Sequence, residues 1–89
     1  MISENITIVN KLGLHARAAS KLVNCASQFE SEVFITRKGN RVNAKSIMGV
    51  MMLAASKGAE LELEVEGNDE QLCRDAIVEL VKDRFGETE

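Results

Sequence analysis

Proline, tryptophan and tyrosine are absent from the 89 residues, and three phenylalanines are the whole aromatic complement. Proteins that stack single-stranded nucleic acid need aromatic platforms, so that class of partner is disfavoured. The net charge of -3 gives no pull toward a nucleic-acid backbone or an anionic membrane. No stretch approaches the roughly 18 apolar residues of a membrane span. Ser3, Glu4, Asn5, Thr7 and Asn10 interrupt the apolar residues at the start, a pattern unlike a secretory leader. A cytoplasmic protein with neither nucleic acid nor membrane among its partners is expected. Histidine occurs once, at His15, and cysteine twice, at Cys25 and Cys73, without the spacing of a metal or redox motif. No metal and no cofactor is therefore expected. Both cysteines fall on apolar helix faces and read as small buried hydrophobes, with their pairing left open.

What is present is a globular composition, 45% hydrophobic and 28% charged, with length for one domain, residues 1–89. Ile2, Ile6 and Ile8 share one face with Glu4, which predicts a strand covered on one side. Ala19, Leu22, Val23 and Ala26 recur at helical spacing between Ala16 and Phe29. Alternation around Val33 and Ile35, the turn signal Lys38-Gly39-Asn40 and a short strand through Val42 predict a hairpin. Ser46 is an N-cap candidate for Ile47 to Ala54, a segment apolar nearly all round. If Val50, Leu53 and Ala54 face the core, then Ile47, Met48 and Met51 are exposed, and an exposed Met-rich patch signals contact with proteins. Glu60 to Glu66 alternates strictly as a strand. Asn68 and Gln71 are spaced like a capping box for a last helix, with Leu72, Cys73, Ala76, Ile77, Leu80 and Val81 as its apolar face and Gly86 as its stop. The order βαββαβα fits an open α/β sandwich, one sheet with helices packed on one face.

The candidate chemistry lies in Gly13-Leu14-His15-Ala16-Arg17-Ala18-Ala19-Ser20. First-turn amides have no intrahelical acceptor and the helix dipole is positive there, so a helix start attracts an anion. An imidazole at that place can carry a phosphoryl group covalently, because histidine forms such intermediates and free imidazole titrates near about 6.5. Arg17 would then neutralise and orient the phosphoryl oxygens. On spacing alone, an N-terminal His with no chemistry and a solvated Arg remains an equal alternative. No Ser/His/Asp triad can be assigned.

Gly13-Leu14-His15-Ala16-Arg17, followed by Lys45-Ser46-Ile47-Met48-Gly49-Val50-Met51, closely resembles the histidine-containing phosphocarrier (HPr) family of the bacterial phosphotransferase system. The resemblance spans essentially the whole chain. It implies an open-faced β-sandwich, four antiparallel strands under three helices, and a carrier that is not an enzyme. Enzyme I, charged by phosphoenolpyruvate, would phosphorylate His15 on Nδ1, and His15 would pass the group to enzyme IIA in sugar uptake. Arg17 matches the family arginine that contacts the phosphoryl group. Ser46 matches the serine modified by the ATP-dependent HPr kinase/phosphorylase, and Ala16, Ser20, Ile47, Met48 and Met51 would form the docking surface of a monomer. Two positions depart from the pattern: Ala18 stands where the family usually has Pro, and Leu12 where some members have a polar residue.

Two other functions are compatible with the same residues. Asn10-Lys11-Leu12-Gly13 and Met52-Leu53 also resemble the nitrogen-related branch of the family, whereas the surroundings of Ser46 resemble the sugar branch. A regulatory interaction module would use Ile47, Met48 and Met51, with His15 incidental. An acyl-phosphate hydrolase ranks below both, because no anion-cradling Gly-rich loop with an Asn-positioned water is evident.

Overall fold

A computed structural model describes residues 1–89. The strands are β1 (Ile2–Thr7), β2 (Glu32–Arg37), β3 (Asn40–Asn43) and β4 (Glu60–Glu66). The helices are α1 (Ala16–Ser27), α2 (Ile47–Met52) and α3 (Glu70–Lys82), followed by a 3-10 turn at Arg84–Gly86. The strictly alternating β4 lies inside the sheet, paired antiparallel with β1 on one side and β2 on the other. The strand order is β1-β4-β2-β3. Leu61, Leu63 and Val65 of β4 are buried on the helix side beside Ile6, Val33 and Ile35 from the neighbouring strands. The other face is polar: Arg41 of β3 lies 3.8 Å from the centroid of the Phe34 ring and reaches Glu64 of β4 at 3.1 Å.

Glu4 is the one acidic residue on the apolar side of β1, and Arg74 of α3 meets its carboxylate at 3.0 Å. That ion pair explains how the face tolerates a charge. Lys38 and Gly39 form the two-residue turn between β2 and β3, both with positive φ, the conformation that matches strand twist in a tight hairpin. Ala18, Ala19, Leu22 and Ala26 turn α1 onto the sheet, and Cys73, Ile77 and Val81 do the same for α3.

Several expectations change in detail. Ala54 is exposed rather than in the core, because the chain turns left-handed there (φ 50) after the short α2, and Ala55 is buried in its stead. Leu72 is 69% exposed; α3 is rotated so that Cys73, not its neighbour, leads the buried face. α1 ends at Ser27, and Phe29 packs against the core from the loop. The capping box at Asn68 and Gln71 does not form. Asp69 is the N-cap residue, but its carboxylate accepts from the Glu30 and Ser31 amides at 2.9 and 3.0 Å and from the Ser31 hydroxyl. It thereby ties α3 to the connection between α1 and β2, and three converging donors hold it below the ordinary carboxylate range, the Ser31 hydroxyl foremost. Glu70 instead reaches back to the Gly67 amide at 3.2 Å.

The 3-10 turn after α3 has no counterpart in the sequence pattern. Phe85 adopts a left-handed conformation (φ 55) and is fully buried, and Lys21 of α1 donates to its carbonyl at 2.6 Å. These two contacts anchor the end of the chain against α1. Phe85→Ala removes a buried aromatic ring and should cost about 3–5 kcal/mol of stability in urea or thermal unfolding. A loss below about 1 kcal/mol would mean that the ring is not a core anchor.

Candidate functional site

His15 caps the N-terminus of α1 in an extended conformation (φ -73°, ψ 176°), and its carbonyl accepts the first helical bond, from the Ala19 amide at 2.8 Å. The amides of Ala16, Arg17 and Ala18 have no backbone acceptor, as the first turn of a helix dictates. Gly13 places this turn. With φ 68° it brings the backbone so close to the segment after α2 that a Cβ would lie 2.5 Å from the Ala55 carbonyl oxygen. The Leu14 amide donates to that same oxygen at 2.8 Å.

The imidazole is held from the far end of the chain. Nε2 of His15 bonds to the Glu87 carboxylate, whose other oxygen accepts from Nδ2 of Asn10 at 2.9 Å. The same Asn10 nitrogen donates to the Gly13 carbonyl at 2.8 Å, so both of its hydrogens are used. Asn10 is fully buried, and its Oδ1 has no partner. A carboxylate can only accept, so Nε2 is the donor in this bond, and in the neutral ring Nδ1 is the nitrogen that keeps the lone pair. Asn10 foremost, and then His15, holds the Glu87 carboxyl below its ordinary value of 4.5.

Arg17 is exposed, makes no ion pair and shares a shallow recess with Lys11, Leu12, Glu87, Thr88 and Glu89. It lies one turn-step from His15, yet neither Arg17 nor Ser46 bonds to the ring. Ser46 caps α2, its hydroxyl accepting from the Gly49 amide at 3.2 Å. Ala16 is exposed and Ser20 half-buried, one helical turn apart on α1, which packs against α2. Ile47, Met48 and Met51 are exposed, joined by Met52 at 78% and Leu12 at 67%, which makes the apolar surface larger than the sequence pattern indicated.

The model of the family described as the PTS HPr component phosphorylation site matches residues 2–83. The chain is 54% identical over its full length, and over the full length of the relative, to the phosphocarrier protein HPr of Neisseria meningitidis. The chain belongs to the HPr family. Its fold is similar to the crystal structure of HPr-C-His from Thermoanaerobacter tengcongensis, with a TM-score of 0.96, 44% identity and all of both chains covered. An HPr dimer from the same organism is also similar, with a TM-score of 0.79, 45% identity and coverage of 98% of this chain and 100% of that one. The HPr family is one of phosphocarriers rather than enzymes, and its open sheet under three helices is the architecture described above.

Against that family frame, Ala18 is fully buried, so the residue standing at the usual Pro position is part of the α1 core contact. Cys25 and Cys73 are free thiols; Cys73 is buried as expected and Cys25 only half-buried, and burial raises both, Cys73 to about 11. No helix is long and apolar enough to cross a membrane. Asn10 and Glu87, the two residues that hold His15, escaped sequence reasoning because nothing in linear spacing connects them across the fold.

The lowered Glu87 value fixes the sign of a pH effect. The tie to Asn10 and His15 contributes fully above the ordinary carboxyl value of 4.5 and is lost as pH falls through the lower folded value. In an acid titration followed by NMR, the Asn10 side-chain amide resonances should move together with the Glu87 carboxyl, at a midpoint below that of an unperturbed Glu. A midpoint at or above the ordinary value would contradict the bonding described.

Proposed function

We propose that the protein is a cytoplasmic, monomeric phosphoryl carrier that accepts phosphate from phosphoenolpyruvate-charged enzyme I on Nδ1 of His15 and passes it to a histidine of enzyme IIA in sugar uptake. The observation that carries this is a histidine with one nitrogen engaged by a carboxylate, opening a helix whose first three amides have no acceptor. The Nδ1 lone pair attacks phosphorus as the bond to the donor histidine of enzyme I breaks, and the reverse chemistry delivers the group to enzyme IIA. The first-turn amides and Arg17 supply donors for the phosphoryl oxygens, and an exposed guanidinium free of ion pairs is available to do so. Incubation with enzyme I and phosphoenolpyruvate should give an acid-labile, base-stable phosphate that is absent in His15→Ala. Failure to label with both the sugar-type and the nitrogen-type enzyme I would sink the proposal, and preference for the nitrogen type would move the chain to that branch.

Docking is assigned to the exposed apolar surface of α2, Ile47, Met48 and Met51, with Ala16 and Ser20 of α1. The combination of flexible Met side chains and exposure supports a surface that repacks against more than one partner. The regulatory module reading differs in leaving His15 idle; retained partner binding without labelling of the wild type would favour it.

Ser46 is the proposed regulatory site, modified by the HPr kinase/phosphorylase. Its hydroxyl is exposed at the start of α2, where a phosphate still accepts the Gly49 amide and adds up to about two negative charges beside the docking surface. Ser46→Asp should raise the KM for the carrier in the enzyme I reaction about tenfold while leaving the fold intact. Unchanged kinetics in that variant would remove the regulatory role.

A further inference from the structure

We propose that Glu87 is a positioning residue for phosphoryl transfer, fixing the His15 ring through Nε2 and balancing the charge that the ring acquires when Nδ1 is phosphorylated. The proposal rests on the carrier role argued above and assigns part of that role to the end of the chain. Three observations converge on it. The Glu87 side chain is only 15% exposed although it lies two residues from the last position. Its two oxygens are used separately, one by His15 and one by Asn10. The Asn10 that orients it is fully buried and bonded to the Gly13 carbonyl, so the carboxylate is referenced to the same glycine turn that sets the start of α1.

The consequence follows from the electron count. A neutral imidazole that keeps its proton on Nε2 attacks phosphorus with the Nδ1 pair, and the donor nitrogen of enzyme I leaves with the electrons of the broken bond. No proton has left the His15 ring, so the product is a phospho-imidazolium with a positive charge shared between its nitrogens. A carboxylate already bonded to Nε2–H faces that charge as it forms, and needs no rearrangement to do so. On delivery to enzyme IIA the ring loses the phosphoryl group and the charge together, so Glu87 favours neither direction by moving. Arg17 lines the same recess as Glu87 but makes neither a hydrogen bond nor an ion pair with its carboxylate, so the carboxylate is left to the ring and to Asn10.

Two variants separate the charge from the contact. Glu87→Gln keeps an acceptor for Nε2–H but removes the negative charge; Glu87→Ala removes both. With enzyme I and phosphoenolpyruvate, both variants should phosphorylate with kcat about tenfold lower and KM for the carrier unchanged. Loss of a contact on the docking surface of α2 and α1 would move KM instead. In the unphosphorylated protein, the Hε2 proton of His15 should be visible by NMR in the wild type and in Glu87→Gln, and lost to solvent exchange in Glu87→Ala. Wild-type kcat in both variants overturns the proposal, as does a rise in KM alone, or an Hε2 resonance that survives in Glu87→Ala. If the wild type itself takes no phosphate from either enzyme I, the carrier role fails, and the resonance still decides whether Glu87 holds the ring. Matching thermal unfolding midpoints of the three proteins ensure that a kinetic loss is not a loss of fold.

Discussion

The close approach of Gly13 to Ala55 governs the geometry of the whole site. A Cβ at Gly13 would lie 2.5 Å from that carbonyl oxygen, so only glycine fits, and its positive φ turns the chain into α1. From there the Leu14 amide is tied to Ala55, the Gly13 carbonyl is tied to Asn10, and His15 falls at the cap position of the helix. The segment after α2 and the start of α1 are thus one joint. It links the short apolar helix α2 to the histidine at the start of α1 through a backbone bond, Leu14 amide to Ala55 carbonyl.

The second half of the site comes from packing at the opposite end of the sequence. Phe85 is buried in a left-handed conformation, and a ring inserted there carries the following residues back across the loop between β1 and α1. The Lys11 amide donates to the Glu89 carbonyl at 2.8 Å, so the returning chain is held on both sides of Glu87. A flexible terminal segment would spread its carboxylates over solvent; this one delivers a single carboxylate to a single ring nitrogen. The burial of Phe85 offsets part of the entropy of ordering those residues.

Most of the fold was legible because it rests on periodicity. β4 alternates without a break, α1 repeats its small residues at helical spacing, and Lys38-Gly39 is a turn by conformational preference. His15, Arg17, Ser46 and the exposed Met residues were legible as local chemistry at helix starts. The failures have two causes, contacts between distant segments and, at Ala54, a left-handed turn that the residue type does not announce. The spacing places a capping box at Asn68 and Gln71; the cap position falls instead on Asp69, whose carboxylate goes to Ser31 thirty-eight residues away. Ala54 looked like core until a left-handed turn moved that role to Ala55. Glu87 had no pattern to belong to at all, since its meaning is set by Asn10 and His15, seventy-seven and seventy-two residues earlier.

Ala18 sharpens what the site asks of its first turn. A proline there would preset φ and remove one of the amides that lack an acceptor, trading a donor for rigidity. Here the position is filled by a fully buried Ala of the core cluster, so the turn gets its rigidity from the core instead of from a ring. The amide that proline would delete is retained at a helix start that already carries two others. Three donors in place of two would offer a phosphoryl group carried on His15 one more partner, while the histidine ring is bonded to Glu87, and through it to Asn10, rather than to the helix. Substituting Pro at position 18 would therefore act on how the phosphoryl group is held and leave the hold on the imidazole as it is, because the two are built from different ends of the chain.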